Sequence, residues 1–134
     1  MNINKIPEDI YKLMNNQSSN RPVLFNDNNF IIVQDKAHRK DSYHYTAWYR
    51  HNCKSLLDLK YIDIINIQNL INNINFESEP IIFIHYPPSI WSFHIHFVEK
   101  NHIFYEKKER IYKIEDVINN ILINEKYYLL KLNI

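Results

Sequence analysis

Residues 91–98 read W-S-F-H-I-H-F-V, and the first seven alternate strictly between apolar and polar side chains. Because successive side chains of a β-strand point to opposite faces, this pattern predicts a strand with one apolar and one polar face. The apolar face carries Trp91, Phe93, Ile95 and Phe97, and the polar face carries Ser92, His94 and His96. Side chains two positions apart on a strand lie roughly 7 Å apart, so two imidazoles there can bind one small anion together. The segment therefore predicts both a half-buried strand and a candidate catalytic surface.

Periodicity along the rest of the chain predicts an antiparallel sheet with helices. Apolar runs predict strands at 23–25, 30–33, 43–50 and 81–86, followed after Pro87 and Pro88 by a strand at 91–99. Apolar residues three or four positions apart predict helices at 6–14, 59–76 and 114–124, and a last strand is predicted at 127–132. Because the strands mostly follow one another without helical crossovers, we expect the α+β class, with about five antiparallel strands, one long helix and a C-terminal helix.

The composition excludes several kinds of site. The 134 residues suit one domain, and the absence of glycine removes the P-loop and the Rossmann fingerprint, so phosphate must be bound by side chains. The single cysteine, Cys53, cannot form an internal disulfide or a C-x-x-C metal site. A net charge of +1 argues against general nucleic-acid binding. The N-terminal residues carry no apolar leader or membrane segment, so we expect a cytoplasmic protein, with the nucleus as the alternative, and no membrane partner.

Residues 84–98, reading I-H-Y-P-P-S-I-W-S-F-H-I-H-F-V, resemble the motif of the histidine triad (HIT) superfamily, H-φ-H-φ-H-φ-φ, where φ is hydrophobic. The order of a His-Tyr strand end, a proline, a serine, aromatic residues and then the triad is similar to that of the scavenger mRNA-decapping branch. Two further stretches agree with that branch, K-S-L-L-D-L at 54–59 and E-R-I-Y-K-I-E-D-V-I at 109–118. The resemblance implies a HIT-like domain over 21–134, preceded by a helix and loop over 1–20, and a homodimer.

The resemblance also implies a role for each matching residue. His94 falls on the nucleophile that attacks phosphorus, and His96 falls on the histidine that stabilises charge as the bond breaks. Residues that line the phosphate site in the relatives are matched by His85, Ser89, Asp35, Lys36 and Arg110. Lys36 directly follows the aspartate, one position earlier than in the family, so Arg39 and Lys40 are alternatives. The other histidines, at positions 38, 44, 51 and 102, have no motif context and are expected at the surface or in loops.

The chain departs from the family at several positions. Ser92 stands in place of the first triad histidine, and its hydroxyl can form a hydrogen bond but cannot carry a charge. Ile90 stands where a tyrosine is expected. The decapping enzymes also have a large N-terminal domain that closes over the cap, whose base-stacking tryptophan would fall near Asp9 or Ile10 and whose base-reading acid would fall near Ser18. A cationic methylguanine is bound best by an aromatic face and a carboxylate, so these absences bear directly on cap specificity.

Together these features predict a hydrolase that cleaves a residual mRNA cap or cap dinucleotide through a nucleotidyl-histidine intermediate, without a cofactor. One alternative is a generic dinucleoside polyphosphate or nucleotidyl-conjugate hydrolase, favoured by the missing cap-reading residues. The other is a nucleotide- or cap-binding module with weak or no catalysis, favoured by Ser92. A metal site on His94 and His96 would need a third ligand that the spacing does not supply, so no metal is expected.

Overall fold

The computed structural model describes residues 6–35, 42–76, 78–100 and 110–132. In chain order its elements are α1 (Glu8–Met14), β1 (Val23–Asn26), β2 (Phe30–Gln34), β3 (His44–Tyr49), a 3-10 turn (Leu56–Asp58), α2 (Tyr61–Asn73), β4 (Pro80–His85), β5 (His94–Glu99), β6 (Ile111–Lys113), α3 (Ile114–Ile123) and α4 (Tyr127–Lys131). No helix among these residues is long and apolar enough to span a membrane.

The six strands form one sheet in the order β1-β2-β3-β5-β4-β6, and every neighbouring pair is antiparallel. The predicted α+β class with an antiparallel sheet is therefore confirmed. Strand β5 lies at the centre, where β3 and β4 flank it. Its register places His94 opposite Trp48 and His96 opposite Thr46 of β3, and it places His96 opposite Phe83 of β4. Paired residues of an antiparallel ladder share a face, so the histidines of β5 share theirs with these neighbours.

One face of the sheet packs against helices α2 to α4, and this interface is the main hydrophobic core. The strands contribute Phe30, Ile32, Ala47, Tyr49, Ile84, Ile95 and Phe97. The helices contribute Ile64, Ile67, Leu70, Val117, Ile121 and Tyr128. In α2 the buried side chains recur every three residues, which keeps them on one stripe of the helix. Full burial of each such aliphatic side chain contributes about 1.5–3 kcal/mol relative to its exposure.

The opposite face of the sheet, here called the histidine face, carries His94 and His96, and α1 packs at one end of it. Ile10 of α1 is buried in a second, smaller cluster with Ile31, Val33 and Trp48, and Ile90 packs against this cluster. An ion pair between Arg21 Nη2 and Asp9 Oδ2, at 2.6 Å, and a hydrogen bond from Arg50 Nη1 to the Met14 carbonyl hold the helix there. Beyond α1, this face carries the histidines together with the buried apolar side chains of Phe83 and Val98.

The strand predicted at 127–132 is wrong, because this segment forms α4. Its main-chain amides bond to carbonyls four residues earlier, from Leu130 to Lys126 and from Leu132 to Tyr128. The Tyr128 ring is buried edge-on against Tyr112, and its hydroxyl accepts a hydrogen bond from Asn120 of α3. Packing against α3 thus outweighs the strand propensity of the two tyrosines.

The strand predicted at 91–99 begins only at His94, so Trp91 and Ser92 lie in the loop that precedes it. The amide of Phe93 donates to the Cys53 carbonyl, and the Phe93 carbonyl accepts from the Tyr49 amide. The end of β3 and the loop that follows it therefore satisfy the backbone of Phe93. The short strand β6 was missed, since it is only three residues long.

Candidate active site

His94 and His96, predicted to share a face, lie side by side on the histidine face at the start of β5. Their ring centroids are 5.2 Å apart, and the two rings are nearly perpendicular. The antiparallel ladder with β3 fixes both positions, because Trp48 and Thr46 lie directly opposite. The structure thus brings the two predicted catalytic side chains together.

The orientation of the His94 imidazole follows from one hydrogen bond. Its Nδ1 lies 2.7 Å from the Ser92 carbonyl oxygen, and a carbonyl can only accept, so Nδ1 carries the proton. The lone pair is then on Nε2. The ring also stacks on Trp48, with centroids 4.3 Å apart. Burial lowers the pKa of His94 below its usual value, and the Ser92 carbonyl and the Asp35 charge offset part of this effect. At neutral pH, His94 is therefore a neutral imidazole with its lone pair on Nε2.

Ser92 acts on His94 through its main chain. Any residue at this position offers the same carbonyl oxygen, so the replacement of a histidine by serine leaves the orientation of His94 intact. What the replacement removes is a chargeable side chain two positions before His94.

His96 is the most deeply buried histidine of the described residues, at 8% exposure. It stacks on Phe83, and its ring centroid lies 4.8 Å from that of His85, the last residue of β4. Its Nδ1 is 3.1 Å from Nε2 of His44. Burial, followed by the neighbouring histidines His94, His85 and His44, lowers the pKa of His96 well below its usual value. Proton uptake by His96 is therefore disfavoured. The four imidazoles of His44, His85, His94 and His96 are here called the histidine cluster.

His44 is a site residue that the sequence reasoning missed. It was expected at the surface or in a loop, yet it begins β3 and is only 9% exposed. The alternation H-Y-T-A-W at 44–48 is the pattern that could have indicated it, because it places His44, Thr46 and Trp48 on one face. By contrast, His51 is exposed and bonds to Asn29 in a loop, as expected.

Asp35 joins the histidine cluster from the end of β2. Its Oδ2 accepts a hydrogen bond of 2.7 Å from Thr46 Oγ1 and lies 3.8 Å from His44 Nε2. Its amide donates to the His44 carbonyl, which ties the two residues together through the main chain. The predicted Lys36, with its alternatives Arg39 and Lys40, lies outside the described residues.

Arg110 and Ser89 meet in the loop beyond His85. The Arg110 guanidinium donates through Nε and Nη2 to the Pro87 carbonyl, and Nη2 also lies 3.4 Å from Ser89 Oγ. Its own carbonyl accepts from the Tyr86 amide. An exposed guanidinium beside a hydroxyl is a suitable pair of donors for a phosphate group.

Comparison with known proteins agrees with this arrangement. A family model described as "Scavenger mRNA decapping enzyme C-term binding" matches residues 8–113, more than three quarters of the chain. The match spans α1, all six strands and α2, and it includes the histidine cluster and the loop with Ser89 and Arg110. No curated protein is significantly similar to the chain in sequence.

Proposed function

The chain belongs to the family of scavenger mRNA decapping enzyme C-terminal domains, with a HIT-like fold, and we propose that it hydrolyses a phosphoanhydride bond of a nucleotide. The substrate class is a residual mRNA cap or a cap dinucleotide. The observation that carries the proposal is the state of His94, a neutral imidazole whose Nδ1 is held by the Ser92 carbonyl and whose Nε2 is left to attack. His96 lies next to it on the same face.

The reaction proceeds in two displacements. Nε2 of His94 forms a bond to the phosphorus of the nucleoside monophosphate half while the bridging P–O bond breaks, and a nucleoside diphosphate leaves. The imidazole becomes cationic in this intermediate, and the Ser92 carbonyl stabilises its Nδ1–H. Water then attacks the phosphorus, the P–N bond breaks, and a nucleoside monophosphate is released. This restores His94 to its neutral form.

The other site residues supply hydrogen bonds to the phosphates. His96 can donate to a phosphoryl oxygen as charge develops on it. Arg110 and Ser89, whose Nη2 and Oγ atoms lie 3.4 Å apart, hold the phosphates of the leaving half in this proposal. Ser92 contributes a hydroxyl where the family has an imidazole, so this chain lacks one proton donor that could become charged.

The test is incubation with a methylated cap analogue, an unmethylated cap analogue and a dinucleoside polyphosphate, with products separated by chromatography. His94→Asn should reduce turnover by about three orders of magnitude or more, as removal of a nucleophile does elsewhere. His51→Asn is the matched control, because His51 is an exposed histidine outside the histidine cluster. Alkaline quenching, which preserves the acid-labile P–N bond, should also trap a nucleotidyl adduct on His94 that mass spectrometry can detect. Unchanged turnover in His94→Asn, or no turnover of any substrate, would contradict the proposal.

A generic dinucleoside polyphosphate hydrolase is a second candidate, supported by the environment of α1. Near the position expected for the cap-stacking tryptophan, Ile10 is buried against the sheet and Asp9 is paired with Arg21. Neither side chain is available to stack on a methylated base. Equal rates on methylated and unmethylated analogues would favour this candidate, and a clear preference for the methylated one would favour decapping.

A binding module is a third candidate, supported by Ser92. If the missing imidazole limits catalysis, calorimetry should detect cap or nucleotide binding without turnover, and Ser92→His should make turnover appear. The homodimer implied by the family resemblance is also proposed, and sedimentation velocity tests it directly. The division of the chain at residue 20 and the cytoplasmic location stay predictions.

A further inference from the structure

We propose that Asp35, His44 and His96 form a binding site for a divalent transition-metal ion, and that Zn²⁺ fits it best. One ligand atom from each side chain is available, and the three atoms lie within 4.8 Å of one another. His44 Nε2 is 3.1 Å from His96 Nδ1 and 3.8 Å from Asp35 Oδ2. Two ligands of a tetrahedral zinc ion are separated by roughly 3.3 Å, given metal–ligand bonds of about 2.0–2.1 Å. The separations of 3.1 and 3.8 Å are close to this value, and the widest separation of 4.8 Å or less must shorten when an ion binds.

The sheet holds the three ligands in place before any ion binds. They come from β5, from the start of β3 and from the end of β2, which are successive neighbours in the sheet. The Asp35 amide donates to the His44 carbonyl at 2.8 Å, and the β3–β5 ladder fixes His44 relative to His96. Binding therefore requires little ordering of the backbone.

The surroundings of the three side chains resemble the outer shell of a metal site. Thr46 Oγ1 donates to Asp35 Oδ2, which orients the carboxylate as supporting hydrogen bonds do at known sites. His44 and His96 are both buried, at 9% and 8% exposure, which removes competition from bulk water. Two imidazoles and one carboxylate favour zinc over magnesium or calcium, which prefer all-oxygen sites.

The prediction of no metal rested on His94 and His96 as the ligand pair. The structure offers different ligands, because the partner of His96 is His44, which is 52 positions away in the chain. The close contact of these two histidines has one other explanation. One nitrogen could donate a proton to the other, and that state excludes a metal, which needs both lone pairs.

Three protein ligands leave a fourth coordination position open, as in catalytic zinc sites. A phosphate oxygen could occupy it, since the His94 ring centroid is only 5.2 Å from that of His96. A divalent ion there would supply positive charge beside His96, in a chain whose first triad position is the unchargeable Ser92. This consequence rests on the proposed function, whereas the metal site itself does not.

The test is calorimetric titration of the chelator-treated, buffer-exchanged protein with Zn²⁺, with Mg²⁺ as a control ion. We expect one Zn²⁺ per chain, saturable at micromolar concentrations or below, and a Co²⁺ complex with the intense visible absorption of a tetrahedral site. His44→Ala and Asp35→Asn should each weaken Zn²⁺ binding by at least about tenfold. His51→Ala, the exposed-histidine control, should leave it unchanged. Circular dichroism of each variant establishes that it is folded.

Absence of saturable Zn²⁺ binding by the wild-type chain would overturn the proposal in favour of a shared proton between His44 and His96. Binding that survives both His44→Ala and Asp35→Asn would overturn it too, and it would assign the ion to other ligands. Turnover measured separately in chelator distinguishes this outcome from failure of the proposed function. If the protein binds Zn²⁺ but hydrolyses nothing, the metal-site proposal stands and the proposed function fails. If it hydrolyses substrate in chelator and does not bind Zn²⁺, the proposed function stands and the metal-site proposal fails.

Discussion

The hydroxyl of Tyr49 links β3 to the start of α2, and its removal should cost a definite part of the stability of the fold. The hydroxyl donates to Asp63 Oδ1 and accepts from Asn66 Nδ2 at 2.9 Å, while the ring is only 1% exposed. The other carboxylate oxygen of Asp63 accepts from the Lys60 amide and so closes the first turn of α2. Tyr49 directly follows Trp48, whose ring stacks on that of His94. The hydrogen bonds of Tyr49 therefore also anchor this end of β3.

The size of the effect follows from the two hydrogen bonds. Tyr49→Phe keeps the ring contacts with Phe30 and Phe93, so little cavity forms. A hydrogen bond to a charged group contributes about 1.5–3 kcal/mol and a neutral one about 0.5–1.5 kcal/mol, but the exposed edge of Asp63 regains some water. We therefore expect the free energy of unfolding to fall by about 2 kcal/mol. For a domain of this size, that lowers Tm by about 8 °C.

Urea unfolding at neutral pH measures this difference, and Tyr45→Phe is the matched control. Tyr45 lies on the same strand and packs against the same core, and no hydrogen bond of its hydroxyl is found among the described residues. Loss of the Tyr45 hydroxyl should change the free energy of unfolding by less than about 0.5 kcal/mol. Equal effects of the two substitutions, or no effect of Tyr49→Phe, would refute the role assigned to the Tyr49 hydroxyl.

Three further predictions concern ionisable groups. Trp48→Ala should raise the pKa of His94 towards its usual value, because burial is the main cause of its lowering. NMR titration in chelator should show this shift, and Trp48→Phe should give a pKa closer to that of the wild type. Burial raises the pKa of the Cys53 thiol to about 12, so a disulfide reagent should react slowly with Cys53 in the native protein and completely in urea. Fast reaction of Cys53 in the native protein would contradict this. The pKa of His96 is lowered on folding, so the unfolded state binds its proton more tightly, and stability should fall as the pH drops below about 6.5. His96→Gln should make that fall shallower, and an unchanged slope would contradict the assignment.

Elements that bury one continuous face were predictable from the sequence. The helix α2 was predicted from apolar positions three or four residues apart, among them Ile62, Ile65 and Leu70, but Ile62 and Ile65 are exposed and the buried stripe is Ile64, Ile67 and Leu70. In β5, the alternation of Ile95 and Phe97 with the histidines shows the strand period. Each pattern exists because the segment packs against a single flat partner. Segments whose structure depends on one contact with a distant part of the chain show no such periodicity. In α4, burial of Tyr128 against α3 decides the conformation, and no periodicity in five residues can show it.

The residues of the candidate site likewise divide into those that were predictable from the sequence and those that were not. His85, Ser89, His94 and His96 lie within one short stretch of sequence, so their association was predictable from local spacing. The place of His44 was not, because it depends on the pairing of β3 with β5 across the intervening α2 and β4. Sequence spacing shows which side chains share a strand face, but only strand order shows which strands lie next to each other.

The charge of the histidine cluster bears on whether the proposed metal ion helps to bind a polyphosphate substrate. Burial lowers the pKa of both His94 and His96, so these two imidazoles are mostly neutral at neutral pH. A polyphosphate substrate carries several negative charges, which these two neutral imidazoles cannot balance. Within the described chain, Arg110 supplies a cation beside Ser89, at the far end of the loop from Ser92. If Arg110 alone balances the charge, Arg110→Gln should raise KM and chelation should leave turnover unchanged. If an ion on Asp35, His44 and His96 shares that role, chelation should lower turnover in wild type and lower it further in Arg110→Gln.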